Sequence, residues 1–414
     1  MEDLGVFLRK CRIDKVPAVW YKNWENALKM YPLWRLPCLE NQYLLRMVAL
    51  FALPDDFRDA MLRAAEKIRN DPELSRFFWL WHYILFVIKD YGRDEVYEWP
   101  EMFGAMGKLE GMFSAIVLFS GYEGLEALYW NKGIPLGVIQ ANKSDVRAST
   151  EYYREKYNFP GLGTHMLGWT IGYLSGNLYE IGTLRFELCR YQSNFHVYRN
   201  NLSGKVVALC GRGLAVRSDG QLNGTNGIFD KKRWITRLND QDEVVTGNPV
   251  SPEGYIVREK ISLIKKDWQL VLLKDDDVLN VHIPERRGLN YEDYNQAFGE
   301  AISFFQKYFP EKTFKALVCY SWLLSSRLGL FLDHNSNIIK FQRCFYRFPV
   351  VSDEKNFYRF LFKCDRRKPE FLPANTSLQK AVREFLIGGG RLWENGGFIL
   401  NKDLWRGFHG KNVG

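Results

Sequence analysis

Asp277-Val278-Leu279-Asn280-Val281-His282-Ile283, then residues 289–309, then residues 314–322, is the stretch on which the reading of this chain turns. The first piece reads as a strand. The second places Tyr294, Phe298, Ile302 and Phe305 at helical spacing and closes on Phe309-Pro310, so it reads as an amphipathic helix. The third reads as a strand again. A strand–helix–strand run cannot close as a simple hairpin. It needs a crossover, and therefore a mixed sheet with helices packed against it.

Working outward, the downstream chain reads as a short helix near 323–332, strands at 338–348 and 357–364, and a helix at 377–386 capped by Asn375 or Thr376. Gly388-Gly389-Gly390 ends that helix, and residues 397–400 form a last strand. Upstream, 178–188, 206–210 and 214–217 read as strands, with Ser218-Asp219-Gly220-Gln221 as a turn. Residues 225–253 are rich in Gly, Asn, Asp and Lys and read as a long surface loop. Residues 255–263 and 268–273 read as strands. Residues 1–125 carry helical signals instead. Asp71-Pro72 is a cap followed by proline at the first helical position, and 77–87 is apolar nearly all round, as in a buried central helix. The expected fold class is α+β, an N-terminal helical bundle followed by a mixed β-sheet flanked by helices, with domains at 1–130 and 131–414.

Composition agrees with a folded chain. Of 414 residues, 46% are apolar and 15% aromatic, which excludes disorder. Seven scattered cysteines form no CxxC, so neither a zinc ribbon nor a disulfide framework is expected. No leader pattern and no 20-residue apolar span is visible, so a cytoplasmic protein without a membrane span is expected. The formal charge is +9, and it is uneven. Residues 1–125 hold 16 basic and 18 acidic side chains, leaving 41 and 30 for the remainder. The basic part suits an anionic partner such as a phosphorylated carrier. Nucleic acid ranks last, because no helix-turn-helix, zinc module or aromatic-basic RNA motif is present.

Six short motifs occur in a fixed order: Gly182-Thr183-Leu184-Arg185-Phe186-Glu187, His282-Ile283-Pro284, Phe304-Phe305 with Tyr308-Phe309-Pro310, Ser321-Trp322-Leu323-Leu324, Ser336-Asn337-Ile338, and Thr376-Ser377-Leu378-Gln379. In that order the chain resembles a bacterial family that joins an N-acyltransferase helical domain to a GNAT-like (Gcn5-related N-acetyltransferase-like) C-terminal domain. The resemblance covers nearly the whole chain. It implies transfer of an acyl group from acetyl-CoA or another acyl-CoA to an amine, with no metal. The alternative is a protein that keeps the GNAT-like fold for binding or regulation without catalysis.

The resemblance also implies where to look. The pyrophosphate of the carrier would lie on the turn after the 277–283 strand, where Arg286 and Arg287 supply charge and Gly288 allows close backbone approach. The superfamily's usual loop carries Arg or Gln, two residues, Gly, one residue, then Gly or Ala. Glu285, Gly288 and Asn290 stand at those positions, so two of three depart from the pattern. A rebuilt carrier site and a plain solvated turn both remain open. His282, at a strand end, is a candidate general base, or else a buried histidine that braces the turn through a backbone carbonyl. Glu187 is a second one, or else the ion-pair partner of Arg185 or Arg190. Tyr320 and Ser321 are candidate donors to the leaving thiolate and alternate in facing, so only one can serve a given cleft. Cys319 reads as a small buried residue. Asn337 either binds substrate or caps a turn.

Overall fold

The computed structural model describes residues 4–32, 35–138, 143–284 and 288–403. It divides into two compact units, Met1–Glu180 and Ile181–Gly414.

The first unit is helical, as expected. Asp71 accepts from the backbone N–H groups of Glu73 and Leu74 at 3.0 Å each and starts the helix Pro72–His82. That helix and Glu110–Ser120 form the interior, and every residue of Glu110–Ser120 is buried. Rings rather than aliphatic chains fill the centre. Trp81 lies 4.7 Å from Trp99, 5.4 Å from Trp20 and 5.2 Å from Phe113, measured between ring centroids. By length and composition alone the run Phe103–Lys132 could cross a membrane, but 67% of its apolar window is buried inside this unit, as in the core helix of a globular domain.

The unit extends beyond the expected boundary at residue 130. The helix Thr164–Leu174 packs on Arg93–Tyr97 and on Glu110–Ser120. The Leu162 N–H donates to Gly111 O at 2.9 Å, and the Thr164 N–H donates to the Glu101 carboxylate at 3.2 and 3.3 Å. These bonds tie the start of the helix Thr164–Leu174 to the rest of the helical unit.

The second unit is built on a six-stranded sheet whose first strand begins just before the division, at Leu178. Its strands are β1 (Leu178–Ile181), β2 (Leu184–Arg190), β3 (Asp277–His282), β4 (Ala316–Ser321), β5 (Tyr346–Pro349) and β6 (Asn395–Leu400), in spatial order β1-β2-β3-β4-β6-β5. The expected single strand at 178–188 is thus two. Gly182 turns between them at φ +60°, where a Cβ would press on Ala297 at 3.0 Å. Strands β3 and β4 run parallel, joined by the helix Tyr291–Tyr308, and β2–β3, β4–β6 and β5–β6 are antiparallel. That helix buries Tyr294, Phe298, Ile302 and Phe305, as its spacing foretold. A five-stranded sheet that includes Phe195–Asn200 and Val206–Cys210 shares one apolar cluster with Val278, Val318 and Phe398.

Further expectations fail locally, and residues 255–263 are two strands, Tyr255–Ile256 and Ile261–Ile264, rather than one. The region 225–253 is not a plain loop: Trp234–Ile235, Leu238–Asp240, Val244–Gly247 and Pro249–Ser251 are short strands. Residues 338–348 are not one strand. Ser336 accepts from the Ile339 N–H at 3.4 Å and starts the helix Asn337–Arg343, with β5 only beginning at Tyr346. Residues 357–364 are helical turns that bury Phe357, Tyr358 and Phe362 against Val382 and Leu392.

Glu110 sets a pH dependence for the helical unit. It is fully buried, accepts from Tyr153 Oη and from the Met102 N–H, and hydrogen-bonds to Glu101. Burial, reinforced by the neighbouring Glu101, holds its carboxyl well above the usual range. A group raised on folding favours the folded state at pH values below its unfolded pKa of about 4.3, and that advantage fades as pH rises toward its folded pKa. Thermal unfolding followed from pH 5 to pH 9 should therefore show progressive loss, by at least about 2 kcal/mol. Glu110→Gln should flatten that slope; an unchanged slope in the variant would exclude Glu110 as its source.

Candidate active site

The antiparallel register of β2 and β3 sets Glu187 opposite Asn280 and Arg185 opposite His282. Side chains directly opposite share a face, and so do residues two apart on one strand. Glu187, Asn280 and His282 consequently point the same way and meet. Nε2 of His282 lies 2.9 Å from Oε2 of Glu187, and Nδ2 of Asn280 lies 3.4 Å from that same oxygen and 3.2 Å from the imidazole nitrogen. The His282 and Glu187 side chains are 22% and 17% exposed. In one proton assignment the carboxylate accepts from both neighbours, the imidazole N–H on Nε2 and the amide N–H of Asn280 each donating to Oε2. That tautomer carries its lone pair on Nδ1. A carboxylate so placed fixes the imidazole's orientation and stabilises the imidazolium it forms on taking a proton.

The two candidate bases of the sequence are thus brought together on one face of the sheet. Of the two arginines expected as ion-pair partners of Glu187, Arg190 pairs with Asp277 at 3.4 Å, and the imidazole of His282 meets a carboxylate. Asn280 is a member of the group that sequence motifs do not mark. The signal was its place two residues before His282 in a strand. Its Oδ1 is buried without a hydrogen-bond partner.

The next strand supplies a hydroxyl. The parallel ladder between β3 and β4 spans Leu279–Leu317 and Asn280–Val318, two positions in strands of six residues. Past them, at the carboxyl ends, His282 and Tyr320 flank the interval between the strands on one face. Carboxyl ends of parallel strands are where ligands bind in open α/β sheets. Tyr320 Oη lies 3.0 Å from Ser193 Oγ, and its ring meets Phe348 edge-on at 5.9 Å. Gly396, opposite both residues, makes that contact possible, since a Cβ there would stand 2.1 Å from the Phe348 ring. Tyr320 is 37% exposed overall, yet burial of its hydroxyl end pushes its pKa up to about 12. The phenol keeps its proton and serves as a hydrogen-bond donor.

Ser321 faces the other way. Its hydroxyl accepts from the Leu323 N–H at 3.1 Å and starts the turn Trp322–Leu324. Cys319 is also on that far face, 1% exposed, its thiol pushed up to about 12 by burial and so unsuited to nucleophilic attack. Asn337 is the exposed first residue of its helix, with Ser336 as the cap, and it is not brought to the Glu187–His282 group.

Arg286 and Arg287 lie outside the described residues. Gly288 is exposed, and a Cβ on it would meet nothing within 4 Å. The helix N-terminus beyond it is occupied by its own chain. Asn290 accepts from the Glu292 N–H at 3.3 Å, and Glu292 and Asp293 sit in the first turn. Those two carboxylates offset the favourable dipole for an incoming anion. Among the described residues, no cluster of three or more His, Cys, Asp or Glu could hold a metal ion.

Residues 178–399 match the family described as a GNAT-like C-terminal domain. The whole chain is similar to several solved structures. One is an acyltransferase in complex with decanoyl-CoA and teicoplanin, at 18% identity and a TM-score of 0.63, covering 96% of this chain and 99% of that one. A tryptophan-to-alanine mutant of an acyltransferase in complex with octanoyl-CoA gives the same identity, score and coverage, 18%, 0.63, 96% and 99%. An acyltransferase in complex with decanoyl-CoA aligns at 19% identity and a TM-score of 0.61, again over 96% and 99% of the two chains. No curated protein matches the sequence. At these identities the structural likeness speaks for the fold, whereas the match over more than half of the sequence speaks for descent: the chain belongs to the family with a GNAT-like C-terminal domain.

Proposed function

We propose that the protein is an N-acyltransferase that moves an acyl group from an acyl-CoA thioester to an amine. The observation that carries this reading is the Glu187–His282 dyad beside the β3–β4 interval, with the Tyr320 hydroxyl across from it. An amine attacks the thioester carbonyl, the C–N bond forms and the C–S bond breaks. The amine proton passes to Nδ1 of His282, and Glu187 stabilises the resulting imidazolium. Tyr320 donates a hydrogen bond to the negative charge that gathers on the departing sulfur.

The carrier fits for a second reason. Strand edges that leave the ladder present free backbone N–H and C=O groups, and the pantetheine arm of coenzyme A offers amides to pair with them. The acyl-CoA complexes among the similar structures support an eight- to ten-carbon acyl chain as the first donor to try. A second reading, a GNAT-like protein that binds without catalysis, draws on the acidic first turn at Glu292 and Asp293 and on the altered pyrophosphate loop.

Calorimetry with octanoyl-CoA separates the two readings from a third outcome, no carrier site at all. Binding with thiol release in the presence of a panel of primary amines supports the enzyme; binding with no turnover on any of them supports the second reading. His282→Ala should lower kcat by at least about 100-fold, and Glu187→Gln by about 10-fold or more. Tyr320→Phe should lower kcat by about 10-fold while leaving KM for octanoyl-CoA unchanged, as expected for a contact made in the transition state only. Wild-type turnover in His282→Ala would remove the imidazole from the mechanism.

A further inference from the structure

Beyond the dyad, the same end of the sheet holds an arginine with nothing to neutralise it. Trp393 lies two residues before β6, whose first residue, Asn395, is registered with Ser321 at the carboxyl end of β4. The Arg327 guanidinium stands 5.2 Å from the Trp393 ring centroid and 5.9 Å from that of Phe385. Arg217 approaches the same indole at 5.8 Å, but it is bound by Asp219 through two hydrogen bonds, at 2.6 and 3.1 Å. Among the described residues, Arg327 has no carboxylate partner and no hydrogen bond, and its Nε is buried.

The neighbouring donors are in the same condition. Trp393 is 7% exposed and its indole N–H is buried without an acceptor. Ser325 is 0% exposed and its hydroxyl is unpartnered too. Arg347 is linked to the cluster through Gln342, which accepts from its Nη1 at 2.9 Å and donates to Ser325 O at 3.0 Å; its Nε is a further unpartnered donor. Burial lowers the Arg347 pKa, against the pull of Glu253. The other nearby carboxylates are engaged elsewhere: Glu394 accepts from Asn356 at 2.7 Å, and Glu354 pairs with Arg366 at 3.1 Å.

Buried polar groups are nearly always satisfied, and each exception calls for a missing partner. Here the orphans Arg327 Nε, Arg347 Nε, Trp393 Nε1 and Ser325 Oγ can all donate, and two of them belong to guanidinium groups. Water can answer the single donors, whereas an anion answers the donors and the uncompensated charge of Arg327 together. We propose that Arg327 and Trp393 form an oxyanion-binding site that takes a phosphate or carboxylate group, at the end of the sheet where the strands β3 and β4 part. The aromatic walls hold the Arg327 guanidinium by cation–π contact and leave its N–H edge to the ligand. This inference does not depend on the acyl-transfer reading.

Titration of the full chain with inorganic phosphate and, separately, with acetate tests it. Affinity for at least one of the two should fall by about tenfold or more in Arg327→Met. Trp393→Phe, which keeps a ring but removes the indole N–H, should give a smaller loss in the same direction and stands in should Arg327→Met fail to fold. Octanoyl-CoA and its 3′-dephospho form then identify the source of the anion. A penalty in Arg327→Met seen with octanoyl-CoA but not with the dephospho form assigns the site to the carrier's phosphate. Equal octanoyl-CoA affinity in wild type and variant assigns it to a carboxylate or phosphate on the acceptor. Anion affinities that are the same in wild type, Arg327→Met and Trp393→Phe would overturn the proposal.

Discussion

Parallel strands that stop pairing while still extended are a cost that this sheet carries at its centre. β3 and β4 share ladder pairing at Leu279–Leu317 and Asn280–Val318 and then continue for two or three residues more. Backbone groups left unpaired there must find water or a ligand. The rest of the unit keeps that opening from spreading. β2 pairs with β3 along its whole length, from Asp277 to His282, and β6 does the same for β4, from Ala316 to Ser321. Each of the parting strands is therefore held from its outer side. The helix Tyr291–Tyr308 lies between them in sequence and buries one apolar face. The interval is a consequence of the fold, and the groups fit for chemistry stand on its rim.

Pairing along the outer side also fixes the dyad. Glu187 and His282 are 95 positions apart in sequence, yet the register leaves them little freedom, because each is anchored in a strand and points to a common face. A strand-borne site of this kind is better ordered than one on loops, since the strand's own ladder holds each residue in position. The Gly396 position works the same way on the far side. A missing side chain there lets Phe348 reach the Tyr320 ring, which holds the phenol where its hydroxyl can act.

How much of this could be read from sequence follows from the range of the interactions involved. The strand–helix–strand run, the Asp71 cap and the helix capped by Thr376 rest on neighbours within a few residues, so they were legible. Thr376 and Gln379 form a full capping box. The short strands between residues 234 and 251 are not, because two to four residues are too few for alternation to show above the Gly, Asn, Asp and Lys that surround them. Residues 338–348 misled because Ile338, Ile339 and Phe341 suit a strand or a buried helix equally. Ser336, part of one of the family motifs, is the deciding residue, since its hydroxyl starts the helix. Alternation on a strand separated Tyr320 from Ser321 in principle, but only the register could say which of them shares a face with His282. Asn280 escaped for a simpler reason: an amide in a strand carries no chemical signature until its neighbours are known.

The net charge of +9 gains meaning once it is divided by partner rather than by position. Most of the basic side chains with short contacts are neutralised locally: Arg190 by Asp277, Arg217 by Asp219, Lys265 by Asp240. Charges paired in this way offer little to an incoming anion, and the exposed pairs among them contribute little to stability. What matters for an anionic ligand is charge that the fold leaves uncompensated in a place from which water is partly excluded, because there the interaction is least screened. Arg327 meets that condition, held by rings rather than by a carboxylate. The helix N-terminus at Asn290 does not, since its first turn brings its own acids. On this reasoning the pyrophosphate turn that the family resemblance marks and the charge that the structure leaves free are different places. An acidic ligand long enough to touch both would lie along the carboxyl ends of β3 and β4, which is also where the ladder between them has given way.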